Sequence, residues 1–193
     1  MENPTEVVPE SNSRDRLNTL VAISVALLAT FMAITKVKDD NIVQAMLQAK
    51  SDAVDTWSQY QAKRIKHHLL EMSRNQAIAL RSVVSPKAAA SLDEQVKQYE
   101  ADISRYGTEE EELKTKARAF EKQYDALNFR DDQFDLSDAV LSVSIATLAI
   151  TSLTRKKWLL WMSLVFGAFG VVMGTAGLMG LKLHPDWLVK LLS

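Results

Sequence analysis

The chain has 193 residues, with 23 Lys and Arg against 24 Asp and Glu, and it contains no cysteine. This length allows one domain or two small ones, and the missing cysteines exclude disulfides, thiolate zinc sites, iron–sulfur clusters and a cysteine nucleophile. A formal net charge of −1 removes any whole-chain argument for nucleic-acid binding. The mean hydropathy of −0.08 is typical of a soluble domain, yet it averages three apolar blocks and one long charged segment.

The first apolar block covers residues 17–35 and follows a short N-terminal tail, residues 1–16. As a helix it would extend about 28 Å, close to the hydrocarbon thickness of a bilayer. The block is longer than the apolar region of a secretory signal, about 7–15 residues, and Lys36 and Lys38 follow it without a small-residue cleavage site. We therefore predict an uncleaved transmembrane helix.

A highly charged segment, residues 36–135, separates the first and second apolar blocks. It contains no Gly and no Pro before Pro86, so nothing ends the first helix, which we expect to continue as one helix of roughly 65–70 residues. Pro86, followed by the capping-box pair Ser91 and Glu94, predicts a turn at residues 85–91.

Two stripes of apolar residues run along the arms on either side of this turn. The second arm has steps of four and three interrupted at Glu110, which predicts a coiled-coil helix with a mild kink at Gly107. Its stripe is Leu92, Val96, Tyr99, Ile103, Tyr106, Leu113, Ala117, Phe120, Tyr124 and Leu127. The first arm has a looser stripe, which we take as Ile42, Met46, Ala49, Ala53, Trp57, Ile65, Leu69 and Met72.

The arms have nearly equal lengths and opposite charges. Residues 37–90 carry 8 basic and 5 acidic side chains, net +3, and residues 91–136 carry 7 and 13, net −6. We predict an antiparallel coiled-coil hairpin whose charges set the pairing, since an exposed pair adds less than about 1 kcal/mol. The basic group of Lys63, Arg64 and Lys66 then faces the acidic group of Glu109, Glu110, Glu111 and Glu112. A single hairpin has little interior, which predicts that hairpins of several subunits pack together.

The second and third apolar blocks form a predicted transmembrane hairpin. They cover residues 136–154 and 158–181, and only Arg155, Lys156 and Lys157 separate them. Trp158, Trp161 and Trp187 lie near the ends of the third block, where amphipathic rings favour the membrane interface. A C-terminal tail, residues 182–193, follows. The expected fold class is an all-α membrane protein with three transmembrane helices and a long antiparallel coiled-coil hairpin between the first and second.

The basic residues next to the spans predict how the chain is oriented. Arg14, Arg16 and the basic turn at 155–157 lie on one side, and Lys182 and Lys190 on the other. Because basic loops stay in the cytoplasm, we expect a cytoplasmic N terminus and a hairpin on the periplasmic side of a bacterial inner membrane.

Two groups of residues in the spans suggest functions, each with a plainer alternative. The first group is suited to close helix–helix packing, or reflects only the frequency of glycine in membrane helices: Gly167, Gly170, Gly174, Gly177 and Gly180. The second is a candidate ion path, or a capping acid with hydroxyls bonded to their own helix: Asp138, Ser142, Thr147 and Thr151.

Residues for catalysis or metal binding are sparse. His67, His68 and Glu71 form one cluster of metal-ligand type, but a solvated helix face explains them more simply than a bundle metal site, which needs Glu-x-x-His twice. The sequence has no Walker loop, nucleotide fingerprint, GxSxG or HExxH motif. We therefore expect neither an enzyme nor a cofactor or metal site.

The stretch Trp57-Ser-Gln-Tyr-Gln-Ala-Lys-Arg-Ile-Lys66 fits the pattern W-x-x-Y-Q-A-K-x-I-K, and Arg155-Lys-Lys-Trp158-Leu-Leu-Trp161 is a basic turn followed by tryptophans. In these features the chain resembles a bacterial family catalogued as domain of unknown function four-three-three-seven. The resemblance implies a bacterial membrane protein with an N-terminal span, a charged helical region and two C-terminal spans. It carries no activity or ligand to transfer.

Three functions remain open. The first is a structural scaffold, a homo-oligomer in the lipid bilayer whose coiled-coil hairpins assemble outside it. The second is a channel or transport element lined by the second span. The third is an accessory subunit of a larger membrane complex.

Overall fold

The structure is a computed structural model that describes residues 10–181 and residue 183. Over these residues the chain forms three α-helices and no strand: α1 (Glu10–Arg81), α2 (Pro86–Thr154) and α3 (Lys157–Met179). Each helix is long and apolar enough, by length and composition, to cross a membrane. The predicted all-helical class is confirmed. The interface residue Trp187 and the basic residues Lys182 and Lys190 lie outside the described residues.

The two long helices continue from the apolar blocks into the charged segment. α1 has 72 residues, because no Gly or Pro interrupts it, and α2 has 69 residues and remains helical through Gly107. An isolated glycine costs a helix only about 1 kcal/mol relative to alanine, so packing along the rest of the helix tolerates it.

The turn between α1 and α2 occupies residues 82–85, earlier than the predicted 85–91. Pro86 is the first residue of α2, a position where its missing N–H costs no helical hydrogen bond. Ser91 consequently lies inside the helix and does not cap it, which corrects the capping-box prediction.

The connection between α2 and α3 is as short as predicted. Arg155 has a φ of 56° and its N–H donates to Thr151 O at 2.8 Å, so it ends α2 in the left-handed conformation. Lys156 is extended, with φ −84° and ψ 112°, and α3 begins at Lys157, one residue before the predicted start.

The chain divides into two compact units, each treated separately below. The unit that contains the three candidate spans, here called the membrane unit, comprises the described residues up to Ala45 and those from Ala126 onward; the hairpin unit is Met46–Asp125. Parts of α1 and α2 belong to each unit, and α3 belongs to the membrane unit. In the membrane unit, α2 and α3 bury Phe134, Leu136, Leu141, Leu148, Met173 and Ala176.

In the hairpin unit, α2 contacts α1 through the predicted stripe, whose members are buried or half-buried from Leu92 to Tyr124. The contacting face of α1 agrees with the predicted stripe at Ala49 and Ala53 and differs from it beyond Trp57. It runs at steps of four and three through Ala49, Ala53, Thr56, Tyr60, Lys63, His67, Leu70, Arg74 and Ala77, which are all buried or half-buried.

The predicted members Ile65, Leu69 and Met72 are instead 61, 55 and 68 % exposed. The reason is helical phase. Ile65 follows the buried Thr56 by nine residues, which is two and a half turns at about 3.6 residues per turn and therefore the opposite face. Small and polar residues, rather than the largest apolar ones, line this contact on α1.

Candidate functional site

Four of the five predicted glycines bring α3 close to its neighbours in the membrane unit. A Cβ on Gly170 would lie 2.7 Å from Leu141 Cγ, and one on Gly174 would lie 2.7 Å from Ser137 Oγ. Similar conflicts, at 2.9–3.0 Å, would arise at Gly177 and Gly167. Gly170 and Gly174, which have the spacing of a GxxxG motif, therefore serve close packing within one chain.

The fifth glycine has a different position. Gly180 follows the end of α3 with a φ of 66°, and nothing lies within 4 Å of the Cβ it would carry. A left-handed residue after a helix is a common way to end it, and glycine adopts that conformation without steric cost.

Side chains of α2 complete the capping of this helix end. Arg130 donates from Nε and Nη2 to Gly177 O at 3.2 and 3.0 Å, and Gln133 Nε2 donates to Leu181 O at 2.8 Å. Gly177 O also accepts from Gly180 N–H at 3.4 Å, so Arg130 supplies additional donors to the last turn of α3, and Gln133 binds the carbonyl of Leu181 just beyond the helix. Sequence reasoning missed both residues, because nothing local pairs them with α3.

The hydroxyls of α2 serve two different purposes. Ser137 Oγ donates to Gly170 O at 2.8 Å and Ser144 Oγ to Ser163 O at 2.7 Å, so these two join α2 to α3. Thr147 and Thr151 are buried, but they donate to carbonyls one turn earlier in their own helix. Ser142 is exposed. The candidate path residues therefore lie on more than one face of α2.

A cluster of carboxyl groups forms where α1 and α2 meet in the membrane unit. Asp39 is buried, and one of its oxygens accepts from Lys36 Nζ at 2.8 Å. Asp131 approaches Asp39 within hydrogen-bond reach, and Asp138 is half-buried nearby.

The chemistry of this cluster depends on the carboxyl groups of Asp39 and Asp131, which face each other. Burial, the hydrogen bond with Asp39 and the neighbouring carboxylates raise the pKa of Asp131 to about 6. A protonated Asp131 supplies a donor to Asp39, so the pair can hold a proton close to neutral pH. Among the described residues, no group of three or more His, Asp or Glu side chains could hold a metal ion. Asp39, which carries the site, was not predicted.

In the hairpin unit, the predicted charge groups meet in part. Lys63 Nζ forms an ion pair with Glu109 and lies 4.9 Å from the centroid of the Tyr106 ring. Glu110, which interrupts the α2 stripe, faces α1 and contacts His67 Nδ1 at 2.7 Å. The interruption in the sequence pattern is thus a polar contact between the two helices.

The pKa of the Glu109 carboxyl lies below its ordinary value, chiefly because Lys63 donates a hydrogen bond to it and carries a positive charge beside it. Glu111 instead pairs with Lys114 of its own helix at 3.0 Å, and Arg64, Lys66 and Glu112 are exposed.

Contacts elsewhere in the hairpin unit show which residues of α1 lie opposite which residues of α2. Trp57 Nε1 donates to Glu121 at 2.8 Å, and Arg81 forms a 2.7 Å ion pair with Asp93 close to the turn. Rising residue numbers on α1 thus accompany falling numbers on α2.

Large apolar side chains form an exposed strip on α1, here called the outer face: Leu47, Val54, Ile65, Leu69 and Met72, each at least 55 % exposed. α2 carries a shallow groove, here called the small-residue groove, which is lined by Ser104, Gly107, Thr108, Thr115 and Ala119 and bordered by Glu111, Glu112 and Lys116.

Comparison with known proteins adds a family but no activity. The family model of a domain of unknown function matches residues 17–180, which covers all three helical spans and the charged segment. No curated protein and no solved structure matches the chain.

Proposed function

The chain belongs to the family of that domain of unknown function, DUF4337, and from its own residues we propose that it is a structural scaffold of the bacterial inner membrane. In this proposal several copies anchor in the bilayer through three spans. Their charged segments fold into antiparallel coiled-coil hairpins that assemble with one another on the periplasmic side.

The observation that carries the proposal is the outer face of α1. Ile65, Leu69 and Met72 remain mostly exposed in a unit that is otherwise rich in charge. A large apolar patch on a soluble segment marks a surface that binds another protein or a membrane. The ion pair of Lys63 and Glu109 lies at this level of the hairpin, so we place the patch in water rather than in lipid. In water, an apolar patch is best covered by another protein.

Three further observations support the finer parts of this proposal. The order of contacts from Trp57–Glu121 to Arg81–Asp93 is that of an antiparallel pair, and the four–three spacing on both helices is that of a coiled coil. The periplasmic position rests on the basic residues beside the spans.

Mass measurement of the full chain in detergent tests the proposal. Light scattering that separates the protein mass from the detergent mass should give one species containing several copies of the 21.6 kDa chain. A monomer would contradict it. A monomer that co-purifies with a different protein at fixed stoichiometry would instead identify an accessory subunit of a larger complex.

A second candidate function is an ion path, and the carboxyl cluster favours it. Intramembrane and membrane-edge acids are costly, and they often mark routes for protons or cations. Asp138 lies beside Lys36, Asp39 and Asp135. If the oligomer conducts, liposomes containing it should show an ion flux that Asp138→Asn reduces and Asp125→Asn, an exposed control in the hairpin unit, does not. Absence of flux from an assembled oligomer would exclude this function.

A further inference from the structure

We propose that the outer face of α1 in the hairpin unit docks into the small-residue groove of α2 in a second copy of the chain. The contact is head-to-tail: each copy presents its outer face to one neighbour and its small-residue groove to another. This inference rests on the proposed homo-oligomeric scaffold and specifies which residues join its copies.

The two surfaces lie on opposite sides of the hairpin unit. Ile65 is two and a half turns from Thr56, a residue of the contact with α2. Thr115 follows Tyr106, a residue of the contact with α1, by the same nine residues, so it also points away from the partner helix. One copy can therefore use both surfaces at once, each towards a different neighbour.

The two surfaces also lie at the same distance from the turn. His67 contacts Glu110 and Arg81 contacts Asp93, so positions between them follow by interpolation. Leu69 is then level with about residue 108, and Met72 with about residue 104. Both α2 positions belong to the groove. Copies that stand side by side in the same direction, as membrane anchors require, would bring strip and groove together without a shift along the helices.

Size and charge complement each other across this contact. Large, unbranched or γ-branched side chains at Leu69 and Met72 would enter a groove lined by Ser104, Gly107 and Thr108, whose small side chains leave room for them. Exposed bases flank the strip, and the border of the groove carries two acids and one base, Lys116. Arg64 stands next to Ile65, and Glu111 and Glu112 lie at the corresponding level of α2.

Charge repulsion favours this arrangement over a symmetric one, in which α1 of one copy packs against α1 of the next. Packing α1 faces together would place Arg64 and Lys66 of one copy near the same residues of the other. A head-to-tail contact uses two different surfaces, so it continues from copy to copy until rotation closes a ring.

Disulfide trapping tests the contact directly, because the chain contains no native cysteine. Two differently tagged copies, one with Leu69→Cys and the other with Thr108→Cys, are co-expressed and oxidised in native membranes. We expect a disulfide-linked dimer that carries both tags, since a disulfide forms only when the two Cα atoms approach within about 7 Å. Neither variant alone should give a dimer.

A matched pair tests the level of the contact. Lys97→Cys replaces Thr108→Cys on α2, nearer the turn by eleven residues, or about 16 Å of helix. Leu69→Cys with Lys97→Cys should give no cross-link.

The other outcomes separate this inference from the proposed function. Cross-linking of Leu69→Cys to itself would overturn the head-to-tail contact in favour of a symmetric one. A multi-copy mass in detergent with no Leu69–Thr108 cross-link would also overturn it, and the scaffold proposal would stand on contacts between spans. A monomeric mass would overturn both.

Discussion

Protonation of Asp131 affects the stability of the membrane unit, because its carboxyl group faces that of Asp39. In the folded chain the pKa of Asp131 is raised to about 6 from an ordinary value of 3.8. The folded state therefore binds more protons between these pH values, so this residue stabilises the fold fully below pH 3.8 and the contribution is lost as pH rises through 6. The carboxylates that remain at neutral pH repel each other.

Asp131→Asn, which cannot ionise, should remove this pH dependence. Thermal unfolding in detergent should show a variant that is more stable than the wild type at pH 7.5, with a difference that shrinks as pH falls through 6 and disappears below pH 3.8. The gain should be about 1 kcal/mol or less, because Asp131 is partly exposed and water screens the repulsion. Asp125→Asn, exposed in the hairpin unit, serves as the control. Equal pH slopes for the wild type and Asp131→Asn would show that the pair does not share a proton.

Among the elements, α3 depends on backbone contact with α2, and a pair of Gly→Ala changes isolates that dependence. A Cβ on Gly170 would meet Leu141 at 2.7 Å and the backbone oxygen of Ser137 at 3.3 Å. Overpacking of this kind typically costs 1–3 kcal/mol, so Gly170→Ala should lower the unfolding temperature of the purified protein by several degrees.

Gly107→Ala is the matched control, because its Cβ would meet only His67 Cε1, at 3.8 Å. It should be neutral or stabilise α2 by up to about 1 kcal/mol, the helix-propensity difference between the two residues. A loss of stability from both changes would mean that the effect of Gly170→Ala is not due to the contact with α2.

The helices themselves could be predicted from the sequence, and the reason is periodicity. The α2 stripe is regular enough to predict its contacting face, and even its interruption at Glu110 marks a residue of the contact. On α1 the predicted stripe is right at Ala49 and Ala53, but beyond Trp57 the contact is made by Tyr60, Lys63 and His67, so a search for large apolar residues there selects the opposite side. The contacting face keeps the same side of a helix along its length, but the predicted stripe moved to another side of α1 between Trp57 and Ile65.

The site residues were predicted less well, because their partners lie far away in the chain. Arg130 meets Gly177, and Asp39 meets Asp131, through tertiary contacts that have no local spacing. The glycines were predicted as packing residues, and four of them do pack closely, but against their own chain. These glycines therefore give no support to self-association, and the exposed outer face of α1 in the hairpin unit carries that case.

At the scale of the whole molecule, the outer face of α1 should matter more for the assembly of several copies than for the folding of one chain. Replacing Ile65, Leu69 and Met72 together by Gln removes apolar surface that one copy leaves mostly exposed. The helical content should therefore remain as in the wild type. If each side chain contributes about 1 kcal/mol on burial by a neighbour, the loss weakens each contact by about two orders of magnitude.

Light scattering in detergent should then show fewer copies per particle, with circular dichroism unchanged. Val83→Gln is the control, since Val83 lies in the turn and is 77 % exposed, away from the level of the groove. It should keep the wild-type mass. An unchanged mass for the triple variant would mean that the spans alone hold the copies together. Because α1 buries only 6 % of its apolar stretch within one chain, that span would be the next surface to test.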